Sequence, residues 1–319
     1  RWRDGAARSS AARPRARFAP EREGSGMTAI LRWSGVAALL IALAVPGIVL
    51  FGLSEPVEGA MRFDEDLLAR NVDAYLAQVE SRYDDITPGV QKQVLWAGDP
   101  ETRMPWAVLY VHGFSATSRE IRPLPDRVAE ALGAHLVLTR LAGHGRGPAA
   151  MAEPRVADWM DDLAEALAVS RAVGERVLVI GTSTGATLAT LAAHDAMARG
   201  VAGMVMISPN YRIRNPAATL ITWPAARWWL PVLAGRERVF EPRSAEHGRY
   251  WSLRYPSSAL VPMAAAVKAA RALPHEDVTI PALFVFDDRD QVVDPSATRA
   301  VAARWGAPAT VEAVQVGEG

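Results

Sequence analysis

The residues of this chain best suited to chemistry are Gly181-Thr182-Ser183-Thr184-Gly185. A serine hydroxyl is a weak nucleophile until its surroundings aim and activate it. Here the surroundings are informative. Val177-Leu178-Val179-Ile180 predicts a buried strand, and the small apolar run from Ala186 to Ala193 predicts a helix. Strand, sharp turn and helix form the context in which Gly-x-Ser-x-Gly is a nucleophile elbow. Gly181 and Gly185 allow strand and helix to approach closely. The helix N-terminus favours negative charge beside the Ser183 hydroxyl. A plain turn that happens to hold a serine has the same bare pattern, so its partners must decide.

A serine nucleophile needs donors for the oxyanion, an orienting acid and a base. Val108-Leu109-Tyr110-Val111 leads into His112-Gly113-Phe114, and a turn there can aim the Phe114 amide at the same point as the Thr184 amide. Gly113 lets the chain pass close. His112 precedes the nucleophile, and its expected job is to shape this loop. Gly143-His144-Gly145 ends the next strand, and His144 is expected to brace the loop rather than move protons. The acid lies in Asp287-Asp288-Arg289-Asp290-Gln291-Val292-Val293-Asp294. Asp290 fits best; Asp287 and Asp288 read as turn formers, and Asp294 as a helix cap. No histidine follows Asp290, because all six (112, 135, 144, 194, 247 and 275) lie upstream. Two expectations follow: a histidine beyond Gly319, or a hydrolase-like chain without a base. His247 and His275 could substitute in principle but read as surface residues.

These residues need a scaffold. Strands are expected at Val94–Trp96, Ala107–Val111, His135–Leu141, Val177–Ile180, Gly203–Ile207, Ala282–Phe286 and Val311–Val316. Helices are expected at Phe63–Tyr83, Ile121–Leu132, Val156–Val173 and near Ser296. Alternation of this kind implies an α/β fold with a mostly parallel sheet covered on both faces. Residues 210–274 break the alternation and hold Trp223, Trp228, Trp229 and Trp251, four of ten tryptophans. They are expected to form a helical cap whose apolar face lines an acyl pocket or touches a membrane.

Composition narrows the function. Half of the 319 residues are hydrophobic, and Lys+Arg and Asp+Glu both number 35. There is no net field to draw nucleic acid. The absence of cysteine excludes thiolate metal sites and a cysteine nucleophile. No His-Glu-x-x-His or Gly-x-Gly-x-x-Gly pattern appears, so neither metal nor nucleotide cofactor is expected. Residues 1–26 read as a disordered or spurious extension. Residues 27–55 hold a charge-free run, Trp33 to Leu53, long enough to cross a bilayer. Arg32 before it and Glu55 after it orient the rest outward. The expectation is a single-pass inner-membrane anchor with a periplasmic catalytic domain; secretion after signal cleavage is the alternative. Residues 56–92 form a helical spacer and 93–319 the catalytic domain.

From about Trp96 onward the chain resembles the α/β-hydrolase family, most closely its monoacylglycerol-lipase and serine-aminopeptidase branch. His112-Gly113-Phe114, Gly143-His144-Gly145, the Ser183 elbow and Asp290 carry the likeness. The resemblance implies Ser183 as nucleophile, Asp290 as orienting acid, and Phe114 and Thr184 as the oxyanion hole. It implies hydrolysis of an acyl ester or lipid through an acyl-enzyme. A non-catalytic binding protein, an acyltransferase or a peptidase on the same fold are the alternatives.

Overall fold

A computed structural model describes residues 53–57, 68 and 71–315, with scattered positions between 30 and 47. Chain contacts separate residues 1–50 from residues 51–319. In the first unit the described positions are helical. Among the described residues no helix is long and apolar enough to cross a membrane. Most of the 33–53 run, and the extension before it, lie outside the described residues.

The second unit begins with α1 (Val72–Glu80), β1 (Gln93–Leu95), β2 (Met104–Val111), α2 (Leu124–Leu132) and β3 (His135–Leu138). It continues with α3 (Val156–Val173), β4 (Gly174–Thr182), α4 (Thr184–Ala192) and β5 (Val201–Ile207). The cap segment holds α5 (Ala226–Leu233), β6 (Glu237–Val239), α6 (Ala245–Tyr250), β7 (Arg254–Pro256) and α7 (Leu260–Ala272). Then come β8 (Ala282–Phe286), α8 (Pro295–Ala302) and β9 (Ala309–Ala313). The main sheet runs β1-β3-β2-β4-β5-β8-β9. Only β1 pairs antiparallel; every other neighbouring pair is parallel.

Period-two alternation explains the two cores. Ala107, Leu109 and Val111 of β2 join a large cluster with Trp159, Leu163 and Leu167 of α3 and Leu188 of α4. Val108 and Tyr110 point the other way, into a cluster with Leu136, Leu138 and Ala129 of α2. A sheet buried on both faces needs such near-continuous apolar strands. Helix α1 joins the larger core through Val72, Tyr75 and Leu76. The Tyr75 hydroxyl also donates to Glu165 of α3 at 2.6 Å.

The cap differs from the helical insertion expected. Besides α7 it contains two short helices, 3-10 turns and a small hairpin of β6 with β7. Helix α5 buries only Ala226 and Leu230, and α6 buries none of its residues.

Candidate active site

Strand β4 lies at the sheet's centre, flanked by β2 and β5. Ser183 follows it with φ 50° and ψ −114°, a backbone that non-glycine residues rarely adopt. The surroundings hold it there. The Ser183 amide donates to Ile207 O at 2.9 Å, and its carbonyl accepts from Thr187 N and Asn210 N at 3.1 and 3.2 Å. Its side chain makes no capping hydrogen bond to α4, so the hydroxyl is not spent on the helix. The flanking glycines leave no room for a side chain. A Cβ at Gly185 would sit 2.2 Å from Val111 O, and one at Gly181 would sit 2.7 Å from Ala186 Cα.

The loop after β2 meets the elbow. A Cβ on Gly113 would lie 3.2 Å from Ser183 Cβ. Among the described residues, neither the Phe114 nor the Thr184 amide donates to a backbone acceptor. His112 is fully buried. Its Nε2 lies 3.1 Å from the Leu141 amide, which can only donate, so the proton is on Nδ1 and goes to Gly113 O at 2.9 Å. Burial pushes its pKa down to about 3. The ring ties the Gly113 loop to the loop after β3. His144 is also buried, with Nδ1 3.1 Å from Ala142 O. It packs on His112, Phe114 and Trp159 at 5.0, 5.8 and 5.8 Å between ring centres. Burial is the main reason its pKa falls to about 4.

Asp290 follows β8, two strands from the elbow strand with β5 between. Its Oδ1 accepts from Val292 N and Val293 N at 2.8 and 3.1 Å. The other three aspartates pair with arginines: Asp287 with Arg289, Asp288 with Arg299 and Asp294 with Arg212. Asp294 also caps α8 by accepting from Ser296 N. No described histidine is hydrogen-bonded to Asp290 or Ser183. His275, read from the sequence as a surface residue, is fully buried instead. It packs against His194, Tyr211 and Trp305. Among the described residues no cluster of three or more His, Asp or Glu could hold a metal ion.

Two features escaped the sequence. Tyr255 of β7 meets the Phe114 ring edge-on at 5.3 Å. Tyr255 also lines an apolar cleft of about 460 Å3 with Leu220, Trp229, Leu233, Phe240 and Met263. Met263 of that cleft is bonded to a residue that supports the elbow. Asn210 Nδ2 donates to Met263 Sδ at 3.4 Å, and the Asn210 amide holds the Ser183 carbonyl. The second feature is Glu120, whose carboxylate accepts from the Gly113 amide at 2.7 Å. It falls in the polar run Ser115–Glu120, which reads as an ordinary surface loop.

Residues 102–315 match the serine aminopeptidase family S33. A thermostable monoacylglycerol lipase from Bacillus sp. (strain H-257) is 27% identical over 192 residues, 60% of this chain and 73% of the relative. Among solved structures, one reported for the metagenome-derived lipolytic enzymes LipS and LipT superposes with a TM-score of 0.60 at 22% identity, covering 72% of this chain and 89% of that one. The monoacylglycerol lipase of Paleococcus ferrophilus gives 0.51 at 17% identity, covering 70% and 88%. These structures share the fold. With its central parallel sheet and its strained Ser183 turn, the chain belongs to the serine aminopeptidase S33 family of α/β-hydrolases.

Proposed function

We propose that the protein hydrolyses carboxylic esters of acyl chains through a Ser183 acyl-enzyme. The observation that carries this reading is the strained Ser183, its hydroxyl uncapped and its backbone held by Ile207, Thr187 and Asn210. Ser183 Oγ attacks the ester carbonyl as its proton passes to a base. The carbonyl oxygen, now an anion, takes the Phe114 and Thr184 amides. The C–O bond to the alcohol then breaks, and the alcohol leaves with the proton. Water repeats the sequence and releases the acid. Asp290 orients the base that takes the Ser183 proton. The cleft holds the acyl chain, as the names of the lipase relatives suggest. The test is Ser183→Ala in the full gene product with p-nitrophenyl esters of graded length. We expect kcat/KM to fall by at least about 10³; unchanged turnover rejects the reading. One observation favours a non-catalytic binding protein: no described histidine adjoins Asp290. Zero turnover by the wild type, with esters still bound, would select it.

The cap supports a membrane seat. Trp228, Val232 and Leu233 of α5 are 81%, 80% and 78% exposed. Residues 210–274 carry ten Lys and Arg against three Glu and no Asp, although the whole chain is neutral. An exposed apolar face on a basic segment suits an anionic bilayer. Leu53, where the charge-free run ends, accepts the Ala225 amide at 3.0 Å, and Glu55 pairs with Arg227 at 2.8 Å. A single-pass anchor over residues 33–53, with the hydrolase on the periplasmic side, accords with this face.

A further inference from the structure

We propose that Glu120 is a positioning residue that locks the oxyanion loop to the nucleophile elbow. The inference rests on the esterase reading above and concerns a residue that takes no part in bond making.

One carboxylate oxygen, Glu120 Oε2, accepts from the Gly113 amide at 2.7 Å and from the Tyr110 hydroxyl at 2.9 Å. The Tyr110 oxygen also lies 3.4 Å from Thr182 Oγ1. Gly113 precedes one proposed oxyanion donor, and Thr182 precedes the nucleophile. Glu120 therefore holds the oxyanion loop directly and is linked to the elbow through Tyr110 and the Thr182 side chain. The approach is tight. A Cβ on Gly113 would lie 2.8 Å from Glu120 Oε1 and 3.2 Å from Ser183 Cβ. Glycine at 113 thus stands between the carboxyl and the nucleophile, with no space to spare.

Engaging the Gly113 amide has a consequence for the next one. With that N–H turned to Glu120 the peptide before Gly113 is held, the one after it is held by His112 Nδ1 and Ala116 N on Gly113 O, and the Phe114 amide stays free of backbone acceptors. The Phe114 ring is held from the other side by Tyr255. Oxyanion stabilisation depends on donors fixed in place before charge develops, and two anchors on adjacent residues supply that fixity.

A purely structural role would be met more cheaply. Among the described residues no Lys, Arg or His is hydrogen-bonded or ion-paired to Glu120. The nearby arginines are used elsewhere: Arg119 on Gly89 O and Arg122 on Asp126. Burying a carboxyl without a counter-charge costs free energy that an apolar residue would not. Burial accordingly pushes its pKa up to about 7. What an apolar residue cannot do is accept the Gly113 and Tyr110 protons together.

The experiment uses the full chain with p-nitrophenyl butyrate, and phenylboronic acid as a tetrahedral mimic. For Glu120→Ala we expect kcat to fall about 10²-fold, with KM within about threefold and boronate affinity falling alongside kcat. Glu120→Gln, whose carbonyl can accept both protons, should stay within about tenfold of wild type. Unchanged kcat and boronate affinity in Glu120→Ala would overturn the inference. So would equal losses in the Ala and Gln variants. If Glu120→Ala does not fold, Tyr110→Phe decides: a lower kcat at unchanged KM supports the lock, and an unchanged kcat removes it. A wild type whose turnover survives Ser183→Ala would instead reject the esterase reading, a separable result.

Discussion

The elbow and the cap are built by opposite rules. At the elbow every neighbour is fixed: the Ser183 backbone is held by three hydrogen bonds, and the glycines beside it are walled in by backbone, Gly181 by the helix and Gly185 by the end of β2. In the cap, α5 turns Trp228, Val232 and Leu233 to solvent, and a Cβ on Gly235 would have no atom within 4 Å. A strained, reactive residue persists only where the structure around it over-determines its conformation. A surface that receives an apolar substrate or a bilayer must keep apolar area uncovered. The difference shows where this chain can and cannot tolerate change.

The sharpest way to break the comparison is to add one methyl group at each place. Gly185→Ala puts a Cβ 2.2 Å from Val111 O and 2.6 Å from His112 O. Both are backbone atoms that cannot move without shifting β2. We expect a loss above about 4 kcal/mol in urea unfolding, or no folded protein. Gly235→Ala meets only the strain of its φ of +87° and should cost about 1 kcal/mol. Similar losses at the two sites would dissolve the contrast.

The same contrast explains what was legible in the sequence. Val156–Val173 and Ala282–Phe286 appear at the residues their apolar patterns predict. Strand β4 is longer than its apolar run, because parallel partners on both sides extend its pairing to Gly174 and Thr182. Such elements bury whole faces, so their periodicity is written in the residues. Outside α7, cap elements bury at most two residues each and leave no period to read. Tryptophan content announced an insertion there but not a hairpin. His275 sits in the polar string Pro274-His275-Glu276-Asp277, which reads as exposed. Only the fold brings Tyr211 and Trp305 over it. Glu120 was hidden for the same reason, since its partners Gly113 and Tyr110 are set by how the loop after β2 returns on itself.

Acid sharpens the comparison on a smaller scale. His112 and His144 are fully buried beside the elbow, with pKa values of about 3 and about 4 against 6.5 when free. The unfolded chain therefore binds protons that the folded chain refuses. Their stabilisation is complete above pH 6.5 and declines as the pH falls below it. Between pH 6.5 and 5 each should contribute a loss of about 2 kcal/mol. Glu120, held up at about 7, adds stability as the pH falls over this range and His275, held down at about 4, loses it, so the reading is urea unfolding at pH 7 and pH 5 of wild type against His144→Gln. His144→Gln should flatten the dependence, while His247→Gln in the cap, which is partly exposed, should leave it in place. An identical change between the two pH values in wild type and His144→Gln would mean that the His144 ring titrates freely.

The smallest expected effect concerns the cap's exposed face. Trp228→Ser removes a side chain from a residue that is 81% exposed, so stability should move by no more than about 0.5 kcal/mol. What should change is contact with lipid. The chain has no cysteine, so Val232→Cys offers a single thiol for an environment-sensitive fluorophore, and Glu130→Cys on α2 gives a control far from the cap in sequence. With phosphatidylcholine vesicles containing phosphatidylglycerol, the Val232 label should shift to the blue and the Glu130 label should not. Adding Trp228→Ser should weaken that shift, because an indole is a large share of the area available to the bilayer interface. Salt should weaken it too, since the basic excess of residues 210–274 acts through screened charge. Because the label reports burial of one position, an anchor elsewhere in the chain cannot produce the signal. A Val232 label that stays in water on every vesicle would take the bilayer away from this face and leave the apolar residues of α5 to the substrate cleft alone.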